Sequence, residues 1–220
     1  MRIVVVQHDE EASLGTLEAA FVARGAELIV HRRHALPDDL DGVDALVVLG
    51  AVESAIDQEG SWYHAEKALL RRADALGVPV LGVCFGAQAL ADTFGGAVME
   101  LAVPEVGWIT ARTGRPDVVP EGPWLNFHCD AVIPPPGAEI IAVSDQCVQA
   151  FRYGPHLAVQ FHPEVTAAQV TYWCDWLRPS LDAAGRDRDQ IVAESERLEA
   201  AARARCAALV DAFLDGKHTA

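Results

Sequence analysis

Short apolar runs alternate with segments of helical spacing through the first half of the chain. Continuous runs rich in valine and leucine occupy residues 2–7, 27–31, 45–49 and 78–83, and apolar positions recur at helical spacing over 14–24 and 63–76. A glycine, the residue at which helices commonly end, follows each helical segment. Short strands that are apolar throughout are typical of sheets buried on both faces. The pattern therefore predicts a three-layer α/β fold, with a mostly parallel sheet flanked by helices.

The pattern changes in the second half of the chain. From Ala97 to Gln160, short apolar stretches are interrupted by prolines, which favours smaller, partly antiparallel strands joined by turns. Residues 167–177 have helical spacing, and residues 187–214 are rich in Ala, Glu, Arg and Leu without Gly or Pro, which predicts a long C-terminal helix. We expect one domain over residues 1–185 and a helical extension over residues 186–220 that packs on the same domain.

Composition and charge narrow the classes of function. The 220 residues include 32 acidic and 17 basic side chains, and the formal net charge of −15 opposes binding to nucleic acid or anionic lipid. The N-terminus has neither the length nor the flanks of a signal peptide, and no apolar run approaches the ~20 residues that span a bilayer. We therefore expect a cytoplasmic protein. The five cysteines are widely spaced, with no C-x-x-C pair, which predicts free thiols and no metal site.

One cysteine lies at a turn suited to nucleophilic chemistry. Residues at the carboxyl ends of parallel strands form the functional edge of such a sheet, and Cys84 lies directly after a strand and before a helix, between Gly82 and Gly86. The glycines leave room for the strained turn known as a nucleophile elbow. The helix N-terminus favours a thiolate, and the Phe85 N–H is placed to stabilise an oxyanion. The alternative is that Cys84 is an ordinary buried apolar residue.

A histidine at the end of a later strand is the best candidate for a partner base. His162 follows the apolar run 157–161 and precedes Pro163, which favours an extended backbone at His162. Glu164 is close enough in sequence to hydrogen-bond the imidazole and fix its tautomer. Cysteine, histidine and carboxylate together supply a nucleophile, an acid–base group and an orienting group. Taken alone, His162 would be interpreted as structural or solvent-exposed, because the chain contains eight histidines.

These two segments carry a family resemblance. Residues 82–88 (GVCFGAQ) and 160–164 (QFHPE) resemble, in order and separation, the two signature motifs of class I glutamine amidotransferases. Residues 105–108, 127–130 and 149–154 resemble segments of stand-alone, GMP-synthase-like members, so the resemblance covers most of the chain. It implies a flavodoxin-like architecture and hydrolysis of the side-chain amide of L-glutamine through a γ-glutamyl thioester. It implies no cofactor and no metal.

The resemblance assigns roles to eight residues. The implied triad is Cys84, His162 and Glu164; the oxyanion hole uses backbone N–H groups of Phe85, Gly50 and Ala51; the substrate-binding residues are Gln88 and His128. Two positions depart from the family pattern. Ala51 stands where a second glycine is common, which makes its peptide less free to flip. Cys129 stands in a segment that usually reads His-Gly-Asp, where it narrows the pocket or simply packs in the loop.

The resemblance leaves the destination of the ammonia open. The chain has no phosphate-binding loop of the Gly-x-x-x-x-Gly-Lys-Ser/Thr type, so a separate synthetase partner is expected to accept the ammonia. One alternative is a γ-glutamyl hydrolase that uses the same cysteine on another substrate. Another is a non-catalytic binding or regulatory module, against which an intact triad argues. The oligomeric state is left open.

Two further features are interpreted as non-catalytic. His8 follows the first strand and could approach the active-site edge, but a histidine in a loop at a strand end is interpreted as solvated. Trp173 and Trp176 lie three positions apart in a predicted helix, so we expect them to form one apolar face packed on the sheet.

Overall fold

The computed structural model describes residues 1–56 and 60–216. Over these residues the chain forms nine strands and six helices. The strands are β1 (Arg2–Gln7), β2 (Glu27–Arg32), β3 (Ala45–Val48), β4 (Val80–Val83), β5 (Ala97–Thr113), β6 (Gly122–Ile133), β7 (Glu139–Val143), β8 (Val148–Tyr153) and β9 (His156–Val159). The helices are α1 (Gly15–Ala23), α2 (Ser61–Leu76), α3 (Phe85–Thr93), α4 (Ala167–Trp176), α5 (Arg178–Ala183) and α6 (Arg188–Leu214).

The described strands form one sheet in the order β2-β1-β3-β4-β9-β8-β7-β5-β6. The first five strands in this order pair in parallel, and the remaining pairings are antiparallel. The predicted three-layer α/β fold is confirmed, and residues 97–160 supply the antiparallel side of the sheet. Because β9 returns to the centre beside β4, the chain segments that follow these two strands emerge side by side.

The two faces of the sheet are covered by different helices. Alternate side chains of a strand point to opposite faces, and in β1 Val5 belongs to one buried apolar cluster while Val4 belongs to another. Phe21 of α1 and Phe213 of α6 lie in the cluster with Val5, whereas Leu70 of α2 lies in the cluster with Val4. Burial on both faces explains why β1, β3, β4 and β9 contain no alternating polar positions.

The prediction of short strands is wrong for the hairpin formed by β5 and β6, which are 17 and 12 residues long. Proline lacks an N–H group, so it is tolerated in a sheet mainly at bulges and edges. Pro104 lies within the register shift between Glu100 and Glu105, and Pro123 lies near the start of β6, at the edge of the sheet. Both prolines therefore occupy permitted positions in strands that the sequence pattern suggested they would interrupt.

The C-terminal helices agree only partly with the prediction. The helices predicted over 167–177 and 187–214 are present as α4 and α6, but the short helix α5 between them was missed. Cys206 and Leu209 of α6 are fully buried in the same cluster as Val5, so this helix completes the covering of one sheet face. The division at residue 185 stays a prediction, and the last four residues of the proposed extension lie outside the described residues. Among the described helices, none is long and apolar enough to cross a membrane.

Candidate active site

The strained turn at Cys84 is the most unusual backbone feature of the site. Cys84 has φ 50° and ψ −105°, and it is the one non-glycine residue with positive φ in the described part of the chain. A Cβ atom at Gly86 would lie 2.1 Å from the Val48 carbonyl oxygen, and one at Gly82 would lie 2.6 Å from the Gly86 carbonyl oxygen. Both flanking glycines are therefore required by close backbone packing, as expected for a nucleophile elbow.

His162 is held in front of Cys84 by main-chain contacts on both sides of it. Its N–H donates to the Leu125 carbonyl oxygen at 2.8 Å, and the Thr16 N–H donates to the Glu164 carbonyl oxygen at 2.7 Å. The side chains complete the arrangement, because His162 Nδ1 lies 2.7 Å from Glu164 Oε1 and the Cys84 sulfur lies close enough to the ring to raise its pKa. Cys84, His162 and Glu164 thus form one buried chain of polar contacts.

The electrostatics of His162 favour its protonated form. Burial alone lowers the pKa of an imidazole, but the charges of Glu164 and Cys84 and their hydrogen bonds oppose this and raise the pKa of His162 to about 10. The ring is therefore protonated at neutral pH, the state in which it can donate a proton to a departing amine.

Two residues that touch this group were not assigned a role from the sequence. Gln160 is buried, and its Nε2 donates to Cys84 Sγ at 3.7 Å. Trp173 packs edge-on against the His162 ring, with the ring centroids 4.8 Å apart. The expectation that Trp173 would only pack on the sheet is therefore incomplete. The position of Gln160, two residues before His162, could have indicated that it lies near the site. Helical spacing alone could not show which ring Trp173 contacts.

A cleft of about 300 Å³ opens beside Cys84. Its lining includes Ala51, Gln88, His128 and Cys129. Gln88 is buried and donates to the Asp130 carbonyl oxygen at 3.4 Å. The larger groove of about 600 Å³ that borders α2 is lined by none of these residues. The cleft beside Cys84 is therefore the candidate substrate site.

His128 lines the cleft, but both of its ring nitrogens are hydrogen-bonded within the protein. Its Nδ1 lies 2.9 Å from the Asp130 carbonyl oxygen, and its Nε2 lies 3.1 Å from both Glu105 Oε2 and Asn126 Oδ1. Contact of His128 with a substrate stays a prediction.

In the described part of the chain, three side chains around His128 lie close enough together to ligate a metal ion. Ligand atoms of Glu105, His128 and Cys147 lie within 4.8 Å of one another. Burial and the neighbouring Glu105 carboxylate raise the pKa of Cys147 to about 12. Cys147 Sγ donates to Glu105 at 3.5 Å, so these groups form a hydrogen-bonded network.

His8 corrects one interpretation of the sequence. It was expected to be solvated, but its side chain is fully buried, with Nε2 2.7 Å from Glu66 Oε2 and Nδ1 3.1 Å from the Gly50 carbonyl oxygen. The sequence interpretation was wrong because Glu66 lies 58 residues away, on a helix whose spacing gives no sign of a buried carboxylate. Gly50 follows β3 and Cys84 follows β4, and His8 follows β1, which is the other neighbour of β3 in the sheet. His8 therefore lies with them at the carboxyl ends of the parallel strands.

Comparison with known proteins agrees with this geometry. The family model "Glutamine amidotransferase class-I" matches residues 10–171. The chain therefore belongs to the class I glutamine amidotransferase family, as its two motifs indicated.

The chain is also similar in sequence to individual proteins named as GMP synthases. It is 32% identical over 157 residues to a glutamine-hydrolysing GMP synthase subunit from Ignicoccus hospitalis, and the match covers 66% of this chain and 81% of that relative. It is 38% identical over 115 residues to the GMP synthase of Aquifex aeolicus, covering 47% of this chain and 22% of that relative. The chain thus spans less than a quarter of the length of such a synthase.

Solved structures confirm the fold. A glutamine amidotransferase from Thermotoga maritima has a TM-score of 0.88 at 22% identity and covers 98% of both chains. One from Methylobacillus flagellatus has a TM-score of 0.88 at 24% identity, covering 98% of this chain and 94% of that chain.

Proposed function

We propose that the protein is a glutaminase that releases ammonia from the side-chain amide of L-glutamine for a separate synthetase partner. The observation that carries this proposal is the unbroken chain of contacts from Cys84 through His162 to Glu164, at the mouth of a cleft in a class I amidotransferase fold.

The reaction follows from the positions of these groups. The Cys84 thiolate attacks the γ-carboxamide carbon, and the resulting oxyanion is stabilised by the N–H groups of Phe85 and the Gly50-Ala51 loop. One such donor contributes roughly 3 kcal/mol in the transition state. The His162 imidazolium gives its proton to the departing amine, and ammonia leaves as the γ-glutamyl thioester forms. His162 then removes a proton from water, which attacks the thioester, so that glutamate leaves and the thiolate returns.

The remaining assignments concern the two reaction partners. Gln88, which lines the cleft, is the proposed contact for bound glutamine. A synthetase partner is supported by the similarity to a protein named as a glutamine-hydrolysing subunit of GMP synthase. A pull-down from native cells, followed by mass spectrometry, would identify the enzyme that receives the ammonia.

A diazoketone analogue of glutamine tests the nucleophile directly. Cys129 offers a matched control, because it lines the same cleft and is the exposed thiol there. We expect a single adduct on Cys84, retained in Cys129→Ala and lost in Cys84→Ala, together with ammonia release from glutamine by the wild type. An adduct confined to Cys129, or neither adduct nor ammonia, would rule out the proposal.

The breadth of the cleft favours one second candidate. Its rim includes Cys129, which is exposed, and Leu177 and Ser180 from the segment around α5, so a γ-glutamyl compound with a larger amine would also have access. Values of kcat/KM for glutamine and for γ-glutamyl amides of increasing size separate the two functions. A strong preference for the larger amides would indicate a γ-glutamyl hydrolase.

A further inference from the structure

The contacts of the buried pair of His8 and Glu66 indicate where its protons must lie. The Gly50 carbonyl oxygen, 3.1 Å from His8 Nδ1, can only accept a hydrogen bond. Nδ1 must therefore carry a proton for this contact to be favourable. A second proton lies between Nε2 and Glu66 Oε2, which are 2.7 Å apart. With both protons present the pair is either an imidazolium beside a carboxylate or an Nδ1–H imidazole that accepts a proton donated by Glu66, and in both forms Nδ1 donates to Gly50.

Apolar rings protect this pair from water. The rings of Trp62 and Phe85 lie 5.7 and 5.0 Å from the His8 ring, centroid to centroid, and both side chains of the pair are fully buried. The neighbouring charges on the same edge are Arg33 and Asp9, which pair with each other at 2.6 Å. Arg33 also donates to the main-chain oxygen of His8 at 3.3 Å, so this ion pair supports the loop but does not contact the ring.

The carbonyl group that His8 holds belongs to the proposed oxyanion peptide. None of the described peptide bonds is cis, and in a trans peptide the C=O and N–H groups point in opposite directions. Holding the Gly50 oxygen at His8 therefore fixes the direction of the Ala51 N–H. This peptide lies against the reacting groups, since a Cβ atom at Gly50 would lie 3.2 Å from His162 Cε1 and 3.7 Å from Cys84 Cβ.

A second contact from the same loop fixes the next peptide. Asp9, the neighbour of His8 in sequence, accepts a hydrogen bond from the Val52 N–H at 3.0 Å through Oδ2. Consecutive residues after β1 therefore hold consecutive peptides after β3. Two hydrogen bonds therefore join the two loops beside Cys84, and the one from His8 reaches the proposed oxyanion peptide.

We propose that His8 is a positioning residue that orients the Ala51 N–H toward the oxyanion, and that Glu66 holds the ring in the orientation in which its Nδ1–H meets the Gly50 oxygen. The inference rests on the proposed glutaminase function. His8 acts through the Gly50-Ala51 peptide and does not touch the substrate, so its loss should slow the chemical step without changing the nucleophile.

Two substitutions at His8 separate its two hydrogen bonds. Asparagine places an amide nitrogen at the position of Nδ1 and can still donate to Gly50, whereas glutamine reaches the position of Nε2 and keeps only the contact with Glu66. Removing one oxyanion donor costs about 10²–10³-fold in kcat. We expect His8→Gln to approach a loss of about 10²-fold in kcat for glutamine, and His8→Asn to lose no more than about 10-fold, with KM little changed in both.

Alkylation of Cys84 by iodoacetamide is the internal control, because this reaction forms no oxyanion. We expect both His8 variants to be alkylated at the wild-type rate, and the exposed His34→Gln control to match the wild type in every assay. Equal kcat in the two His8 variants would overturn the inference, as would a loss of alkylation that parallels the loss of kcat. A wild type that releases no ammonia would instead refute the proposed function, and the inference with it.

A measurement on the wild type keeps the inference testable even if the variants fold poorly. In a ¹⁵N spectrum of histidine-labelled protein, we expect His8 Nδ1 to show a directly bonded proton. A bare Nδ1 at His8 could not donate to the Gly50 oxygen and would overturn the inference, whatever the variants do.

Discussion

The strained backbone at Cys84 predicts that, of two variants that lack the thiol, the glycine variant is more stable than the alanine variant. Cys84→Ala and Cys84→Gly both remove the sulfur and its contacts with His162 and Gln160. They differ only in the Cβ atom, which is the source of the strain at φ 50°. Comparison of these two variants therefore isolates the backbone contribution from the loss of the thiol.

The expected magnitude follows from three opposing contributions. A non-glycine residue in such a conformation costs on the order of 1–3 kcal/mol. Relative to alanine, glycine lowers the free energy of unfolding by roughly 0.4–1 kcal/mol, because the unfolded chain has greater entropy. It lowers it by up to about 0.8 kcal/mol more, because the buried methyl group is lost. Taking about 2 kcal/mol for the strain, we expect Cys84→Gly to be more stable than Cys84→Ala by about 1 kcal/mol.

Thermal and urea unfolding of the purified variants measure this difference. For a chain of this size, about 1 kcal/mol corresponds to an increase in Tm of roughly 2–4 °C. Ala87→Gly is the matched control, because Ala87 is buried in α3 and a helical glycine is destabilising by roughly 0.5–1 kcal/mol relative to alanine. If Cys84→Gly is no more stable than Cys84→Ala, the turn does not store strain and the reasoning is wrong.

Three further predictions concern the elbow and the histidine. Gly86→Ala should lower the free energy of unfolding by several kcal/mol in urea titrations, because its Cβ would lie 2.1 Å from the Val48 carbonyl oxygen, whereas Gly114→Ala, with 3.9 Å to its nearest neighbour, should change it little. In ammonia-release assays His162→Ala should nearly abolish turnover, by about 10²–10⁴-fold, and Glu164→Ala should cost less; the reverse order would contradict the assigned roles. Because the pKa of His162 is raised from 6.5 to about 10, protonation stabilises the fold fully below pH 6.5, and this contribution should fall by at most about 1.4 kcal/mol per pH unit as pH rises toward 10. Unfolding of the wild type and of His162→Gln across this range measures it, and a stability difference that grows with pH would refute the assignment.

The sequence predicted those parts of the site whose cause is local. The strand, turn and helix around Cys84 are encoded by neighbouring residues, and the short spacing from His162 to Glu164 allows their contact at 2.7 Å. The long strands β5 and β6 were not predicted, because Pro104 and Pro123 look like interruptions unless the bulge and the sheet edge are known. Local sequence patterns predict where strands and helices occur, whereas the position of a strand in the sheet determines whether it tolerates a proline.

The residues missed in the site have partners that are distant in sequence. Glu66 occurs in an amphipathic helix in which a carboxylate normally faces solvent, yet its side chain is fully buried against His8. Trp173 has the spacing of an ordinary core residue, but it meets the His162 ring because α4 packs beside that strand end. Such contacts depend on which strands become neighbours, and this was not predictable from either residue alone.

Two histidine–carboxylate pairs at the same edge of the sheet illustrate this limit. His162–Glu164 and His8–Glu66 are both buried and both have an N–O distance of 2.7 Å, so the pair itself does not decide the role of the histidine. The group at the other side of each ring does. In the proposed mechanism the Cys84 sulfur exchanges protons with His162, which acts as an acid–base group, whereas the Gly50 carbonyl oxygen only accepts a hydrogen bond from His8, which acts as a fixed support. Since Cys84 and Gly50 come from other strands, the difference between the two roles is set by the order of strands in the sheet.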